Sequence, residues 1–202
     1  MAPTDAGIDP AAIARSRELL AQERCERFDS DAGPIFIQVF PPPFRLILVG
    51  AVHIAQPLAE LGHLAGYEVL IIEPRSAFAQ GESFAGFQVD ARWPDPALAE
   101  VGADPRTALI ALTHDPKLDD PAIEWALRSP AFYIGALGSR KTHESRLRRL
   151  AQRGFSVEQC ARIHGPVGLS IGAATPAEIA VAIMAEVTQV RRARGQRCAT
   201  ER

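Results

Sequence analysis

The stretch Arg45-Leu-Ile-Leu-Val-Gly-Ala-Val-His-Ile-Ala55 decides the fold of this 202-residue chain. It begins as a short run of branched apolar residues, which is typical of a parallel strand covered on both faces. Gly50 follows where the backbone must turn tightly, and the start of the next helix is a natural anion-binding position. A second apolar strand at 69–72 ends in Glu73, an acid that can take a ribose hydroxyl. Together these features predict the opening of a Rossmann unit.

The nucleotide-binding fingerprint after the first strand is imperfect. The pattern G-x-G-x-x-G/A requires a glycine where this chain has Val52, although Ala55 satisfies its last position. A side chain at Val52 opposes the close approach of a pyrophosphate, so NAD(P) is expected only as the alternative ligand. His53 lies in the same turn, and two interpretations stay open for it. It is either a group beside a phosphate or a helix-start residue that faces solvent.

Composition argues against several classes of function. The chain is 47% hydrophobic and 23% charged, as expected of an α/β protein in water, and its net charge of −2 argues against nucleic-acid binding. Its three cysteines are scattered and form no C-x-x-C pair, so neither disulfides nor a metal site is predicted. This usage fits a reducing cytoplasm. No apolar run approaches about 18 residues and no signal-peptide pattern is present, so no membrane association is expected.

A proline triplet divides the chain. Asp9 and Pro10 predict the start of a helix that runs to about Arg27, and a strand is predicted at 35–40. The triplet at 41–43 is then a stiff extended joint. We therefore predict an N-terminal appendage of one helix and one strand over residues 1–40, a Rossmann-like domain over 44–192, and a disordered tail over 193–202.

Beyond the joint, strands and helices alternate, which predicts an α/β fold with a doubly wound parallel sheet. Strands are expected at 46–49, 67–72, 108–113 and 132–134. Helices are expected at 54–65, 96–101, 121–127 and 140–153, with a long loop over 74–96. Asp120 and Pro121 are assigned as the cap and first residue of the helix at 121–127. Two capping boxes, at 156–159 and 175–178, open two further helices.

Polar residues follow each predicted strand at its carboxyl end, where open parallel sheets bind ligands. We expect these four sets to meet at one rim and to bind a cofactor there. They are Gly50, Ala51, Val52 and His53 after the first strand, Glu73 and Arg75 after the second, Thr113, His114 and Asp115 after the third, and Gly135, Gly138, Ser139 and Arg140 after the fourth. No residue is assigned as catalytic.

Two of these sets have a structural alternative. The turn at 135–141 places glycines, a hydroxyl and two cations at a helix start, which suits a phosphate, but Ser139 also suits an N-cap. Thr113-His-Asp115 resembles part of a catalytic set, whereas Asp115 before Pro116 equally suits a cap or turn. A run of arginines further along the last of these helices is expected on a solvated face: Arg146, Arg148 and Arg149.

Four stretches together resemble one known family. They are Gly50-Ala-Val-His-Ile-Ala55, Leu112-Thr-His-Asp-Pro-Lys-Leu-Asp119, Tyr133-Ile-Gly-Ala-Leu-Gly-Ser-Arg140 and Gly168-Leu-Ser-Ile-Gly-Ala-Ala-Thr-Pro-Ala-Glu-Ile-Ala180. In this order they resemble the xanthine dehydrogenase accessory proteins of the XdhC/CoxI type, over about residues 35–192. The resemblance implies an accessory protein rather than an enzyme. Such a protein binds molybdenum cofactor, as molybdopterin or its dinucleotide, and helps to insert it into a molybdenum hydroxylase apo-enzyme such as xanthine or carbon monoxide dehydrogenase.

Two features depart from the family pattern. Family members usually carry a preceding domain with a Gly-Cys motif, and residues 1–40 resemble only the tail of that domain. We therefore expect a separate protein to supply it, with a cysteine desulfurase and a second copy of the chain as further partners. The other departure is Ser170, where the family tends to have Asp. An NAD(P)-dependent oxidoreductase or a nucleotide-binding Rossmann protein stays as the alternative function, and a scaffold that only docks onto a partner is a third.

Overall fold

The computed structural model describes residues 9–30, 33–75 and 84–200, and for Ala21 and residues 194–200 it describes the backbone alone. The chain divides into two compact units, residues 1–42 with 194–202, and residues 43–193. The larger unit contains every strand that follows the proline triplet, and with them the predicted rim.

The smaller unit begins with helix α1 (Pro10–Gln22), which starts where it was predicted. Asp9 caps it through a side-chain hydrogen bond, and Pro10 takes the first helical position. The predicted end near Arg27 is wrong by about one turn. The helix ends because Glu23 adopts a left-handed conformation, with φ of 53°.

A hairpin follows where one strand was predicted. Strands β1 (Glu26–Ser30) and β2 (Gly33–Ile37) pair antiparallel in register. The sequence prediction extended the helix into β1 and placed the strand at 35–40. It missed β1 because that strand exists through its pairing with β2, which helix periodicity does not reveal.

The larger unit is built on a six-stranded parallel sheet. Its strands are β3 (Phe44–Val49), β4 (Tyr67–Ile72), β5 (Gln88–Asp90), β6 (Thr107–Ala111), β7 (Tyr133–Ala136) and β8 (Ile163–His164). They stand in the order β5-β4-β3-β6-β7-β8, and every neighbouring pair is parallel. This order confirms the predicted doubly wound, Rossmann-like fold. It reverses between β3 and β6, so a crevice opens between these two strands at their carboxyl ends.

Helices cover both faces of the sheet. They are α2 (Ala55–Leu64), α3 (Pro94–Val101), α4 (Pro116–Leu127), α5 (Arg140–Gln152), α6 (Val157–Cys160) and α7 (Pro176–Thr200). Alternate residues of β3 point to opposite faces, as a strand requires. Leu46 and Leu48 pack with residues of α2 and α7, whereas Ile47 and Val49 pack with residues of α3, α4 and α5. Both faces of β3 are therefore buried, and the accessible groups are in the loops at the strand ends.

Helix α4 starts five residues earlier than predicted. Asp115 is its cap and Pro116 its first residue, so the assignment of Asp120 and Pro121 to these roles is wrong. Both Asp-Pro pairs suit a helix start, and the chain uses the first of them. Pro121 lies inside the helix, where it lacks the N–H that would bond to the preceding turn.

Three further differences concern elements near the ends of the sheet. Strand β5 lies within the predicted loop at 74–96, of which residues 76–83 lie outside the described residues. The two-residue strand β8 was not predicted. The tail predicted as disordered from residue 193 is helical through Thr200, as part of α7. Residues 191–200 are rich in Arg and Ala, which are strong helix formers.

Candidate functional site

The crevice between β3 and β6 is closed tightly at its base. Gly50 has φ of 106°, and a Cβ atom there would lie 2.3 Å from Cγ2 of Thr113. Only glycine satisfies both the backbone angle and the contact. The turn after β3 and the turn after β6 therefore touch, so two of the four polar sets that were expected to meet at one rim are in contact.

The carboxyl end of β4 supports the same turn. Glu73 is completely buried, and one of its oxygens accepts the N–H of Ala51 at 2.8 Å. Both oxygens also accept hydrogen bonds from the guanidinium of Arg75, at 2.8 and 2.7 Å, and the N–H of Arg75 donates to the carboxylate as well. Glu73 thus fixes the Gly50–Ala51 backbone and the Arg75 side chain together.

This arrangement changes the role assigned to Glu73. Burial raises the pKa of Glu73, but the hydrogen bonds from Arg75 and Ala51 outweigh that effect and hold the pKa below its ordinary value. The carboxylate is therefore charged, fully engaged and shielded from solvent. The predicted contact with a ribose hydroxyl finds no exposed carboxylate here, and the exposed group at this strand end is the partly solvated Arg75.

In the turn after β6, Thr113 and Asp115 are hydrogen-bonded within the protein, whereas His114 is exposed. The Thr113 hydroxyl donates to Asp119 at 2.6 Å, and the Asp115 carboxylate accepts the N–H of Lys117 as the cap of α4. The structural alternative for Asp115 is therefore confirmed. His114 is exposed and has φ of 60°, an uncommon conformation for a residue other than glycine. Of this set, His114 is the exposed residue.

The turn after β7 lies next to His114. A Cβ atom on Gly138, which has φ of 141°, would lie 3.7 Å from the His114 ring and 3.0 Å from Thr142. Ser139 caps α5 by accepting the N–H of Thr142, as predicted, and Arg140 is the exposed first residue of the helix. Gly135 does not belong to this turn, because it lies buried within β7 against Val167.

Two helix starts at the rim carry backbone donors that the described part of the chain leaves unbonded. No acceptor in that part pairs with the N–H groups of 52–54, which precede α2, or of 138–141, which begin α5. The starts of α4 and α7 differ, since a carboxylate of the chain already accepts their N–H groups, from Asp115 and from Glu178. The unbonded donors, together with the helix dipoles, favour an anion at the starts of α2 and α5.

The arginines predicted on a solvated face include Arg146, which is buried, and Arg149, which is 33% exposed and paired with a buried carboxylate. Only 2% of the Arg146 side chain is exposed, and Arg149 makes two hydrogen bonds to the buried Asp120, at 2.7 and 2.9 Å. Arg148 is exposed, as predicted. The two arginines and the pair Asp119-Asp120 link α5 to α4. The sequence pattern of one helix does not reveal which other helix it packs against, so this link could not be predicted.

A second polar cluster lies between β7, β8 and α7. Glu186 accepts hydrogen bonds from the Tyr133 hydroxyl at 2.5 Å and from the N–H of Gly168 at 2.8 Å, and it lies 3.0 Å from His164. Burial raises the pKa of Glu186, but these hydrogen bonds hold it below its ordinary value. The cluster fastens the loop before α7 to the sheet. The predicted capping boxes at Ser156 and Thr175 are both present.

The described residues lack two kinds of feature. No helix among them is both long enough and apolar enough to cross a membrane. Across the same ranges, no group of three His, Cys, Asp or Glu side chains is placed to hold a metal ion. The features that remain at the rim are backbone donors, cations and exposed imidazoles.

Known proteins share this fold and these loops. The family model of the XdhC Rossmann domain matches residues 46–187. The molybdenum cofactor insertion chaperone PaoD of Escherichia coli is 33% identical over 152 residues, which cover 75% of this chain and 42% of PaoD. A protein of Bacillus subtilis named as a probable xanthine dehydrogenase subunit is 34% identical over 159 residues, which cover 78% of this chain and 46% of that one.

A solved structure is similar over the same region. The crystal structure of a xanthine dehydrogenase from Bacillus halodurans matches with a TM-score of 0.65 and 27% identity, over 80% of this chain and 46% of that chain. This chain therefore spans less than half the length of each of these three relatives.

Proposed function

Because the chain belongs to the XdhC Rossmann domain family, we propose that it is an accessory protein that binds molybdenum cofactor and assists its insertion into a molybdenum hydroxylase. The family, which the sequence indicated through four motifs, is confirmed by the match over residues 46–187. Relatives named as a cofactor insertion chaperone and as part of a xanthine dehydrogenase support the accessory role. The observation that carries the proposal is the pair of helix starts whose backbone donors have no acceptor in the described chain.

The residues at these helix starts fit a phosphate-bearing pterin. The N–H groups of 52–54 and 138–141 would hold phosphate oxygens, and Arg140 would add a charged hydrogen bond. His53 and His114 are exposed beside them and would contact the rest of the ligand. Val52 is partly buried and packs against the apolar core. When bound, the cofactor carries the molybdenum centre that the recipient hydroxylase uses for catalysis.

The engaged side chains favour a carrier over a catalyst. Glu73, Thr113 and Asp115 are each committed to holding backbone or a neighbouring side chain, so none of the three is left to act on a ligand. What the rim offers is binding capacity. An apo-enzyme of the xanthine or carbon monoxide dehydrogenase type is the proposed recipient. Four further expectations stay predictions. They are a cysteine desulfurase partner, a separate protein that supplies the preceding domain, a second copy of the chain as partner, and a cytoplasmic location.

A nicotinamide dinucleotide is the competing ligand. The strand order suits it, but the usual pattern needs an exposed acid at the end of β4 for the ribose, and Glu73 is buried and paired. We therefore expect weaker binding of NAD(P) than of molybdenum cofactor.

Anaerobic purification of the full chain from a host that makes molybdenum cofactor tests the proposal. We expect the protein to retain molybdenum and pterin in stoichiometric amounts, and added NADPH not to displace them. Protein that carries no pterin, but binds NADPH and catalyses hydride transfer, would favour the oxidoreductase instead. Protein that binds neither ligand would leave only the scaffold.

A further inference from the structure

A buried guanidinium lies beneath the turn that starts α5. Only 2% of the Arg146 side chain is exposed, and its Nη2 donates to the carbonyl of Leu137 at 3.1 Å. Leu137 immediately precedes the turn at 138–141, so the positive charge of Arg146 lies against this turn. The same Nη2 lies 3.5 Å from Oδ2 of Asp119, at the limit of a hydrogen bond.

Arg146 has more donors than acceptors. Its Nε and Nη1 are buried and have no hydrogen-bond partner in the described chain, and neither has the buried Nδ1 of His143, three residues earlier on α5. A guanidinium carries five N–H donors, and leaving buried donors without acceptors destabilises the protein. Burial lowers the pKa of Arg146 from its ordinary value. A guanidinium keeps its charge in proteins.

The counter-charge of Arg146 is shared. The other oxygen of Asp119 accepts both the N–H and the hydroxyl of Thr113, at 3.2 and 2.6 Å. The neighbouring pair is more closely matched, because Arg149 donates two hydrogen bonds to the Asp120 carboxylate, at 2.7 and 2.9 Å. Of the two arginines that link α5 to α4, Arg146 is the one whose charge is only weakly paired and whose buried Nε and Nη1 have no partner in the described chain. It also lies beside the turn at 138–141.

We propose that the turn 138–141 forms an anion-binding subsite and that the buried positive charge of Arg146, which lies beneath this turn, increases its affinity for the anion. Asp119 lowers that affinity because its carboxylate partly neutralises the same guanidinium. The inference rests on the proposed function, since it names the part of the rim that holds the phosphate. Arg146 acts from below as a positioning residue, through its charge and through the Leu137 carbonyl. The backbone N–H groups and Arg140 contact the anion itself. The ligand class is a phosphate or pyrophosphate ester.

Titration calorimetry of the full chain with inorganic pyrophosphate at low ionic strength tests this assignment. Asp119→Asn keeps an oxygen for Thr113 and removes the competing charge, so we expect about tenfold tighter binding than in the parent. The neutral double variant Asp119→Asn with Arg146→Met should bind at least about tenfold more weakly than Asp119→Asn. Arg148→Ala, on the exposed face of the same helix, should bind like the parent.

Asp119→Asn that binds no more tightly than the parent would overturn the assignment. So would a folded double variant that binds as tightly as Asp119→Asn. If the single variant does not fold, the double variant is compared with the parent, where weaker binding supports the assignment and equal binding overturns it. A parent that retains molybdenum cofactor but shows none of these differences overturns only this inference. If the variants bind pyrophosphate in the expected order but the protein never retains molybdenum cofactor, this inference stands and the proposed function is overturned instead.

Discussion

At the scale of single residues, three polar side chains of the rim make hydrogen bonds within the protein and are not left free for a ligand. Glu73, Thr113 and Asp115 are three of the polar residues that the sequence patterns assigned to a cofactor. In the structure they bond to Ala51, Asp119 and Lys117 respectively. The groups left exposed are backbone N–H donors and the basic side chains of His53, His114 and Arg140, which the sequence motifs also marked.

The contact between Gly50 and Thr113 predicts the effect of a single methyl group. Gly50→Ala should lower the free energy of unfolding by about 3 kcal/mol, because it adds both an unfavourable positive φ and a 2.3 Å clash with Thr113. Gly154→Ala, at φ of 88° but in open space, should cost only about 1 kcal/mol. Urea unfolding measures both. Adding Thr113→Ser to Gly50→Ala should recover part of the loss, and no recovery would refute the steric account.

The buried carboxylate of Glu73 predicts a pH dependence. Its pKa is lower in the folded protein than in the unfolded chain, so its stabilisation is present near neutral pH and is lost as the pH falls through the folded-state pKa. Glu73→Gln should cost about 2 kcal/mol at neutral pH and progressively less below about pH 4. Glu68→Gln, on the exposed side of β4, serves as the control. A penalty for Glu73→Gln that stays constant with pH would contradict the assignment.

At the scale of elements, the sequence predicts what is local. The strand β3, the turn at Gly50 and the caps at Asp9, Ser139 and Ser156 are each specified within a few residues, and each was located correctly. What it misses is set by contacts between distant segments. Strand β8 needs β7 as a partner, and the burial of Arg146 needs α4 beside α5. Both depend on how elements meet in space, which periodicity along one segment does not contain.

The ion pair between α4 and α5 predicts a stability effect opposite to the sequence expectation. Arg149→Ala should cost about 2–3 kcal/mol, because it leaves the completely buried carboxylate of Asp120 without its principal partner. Arg148→Ala should stay within about 0.5 kcal/mol of the parent. Thermal and urea unfolding compare the two variants. Combining Arg149→Ala with Asp120→Asn should restore part of the stability, whereas two arginine variants of equal stability would mean that the pair contributes little.

At the scale of the whole molecule, the strand order places the site. Because the strands are parallel, the loops after β3, β4, β6 and β7 lie at one edge of the sheet, and the reversal of strand order between β3 and β6 opens a crevice there. Side-chain hydrogen bonds tie Glu73 to Ala51 and Thr113 to Asp119, so the turns at this edge are held in place. Sequence reasoning from strand ends alone predicted that these loops meet at one edge, and the structure brings them together there. It did not separate the structural residues from the donors, because that division depends on which side chains turn inward.

The central claim is that the phosphate of molybdenum cofactor lies at the start of α5, and its most direct test is the affinity of the parent, Arg140→Ala and Arg148→Ala for the isolated cofactor under anaerobic conditions. Arg140 is exposed at the helix start, so its loss should weaken binding about tenfold and leave the unfolding midpoint nearly unchanged. Arg148→Ala should match the parent in both measurements. If Arg140→Ala binds the cofactor as tightly as the parent, or if it unfolds the protein, the phosphate does not depend on this residue and the account is contradicted.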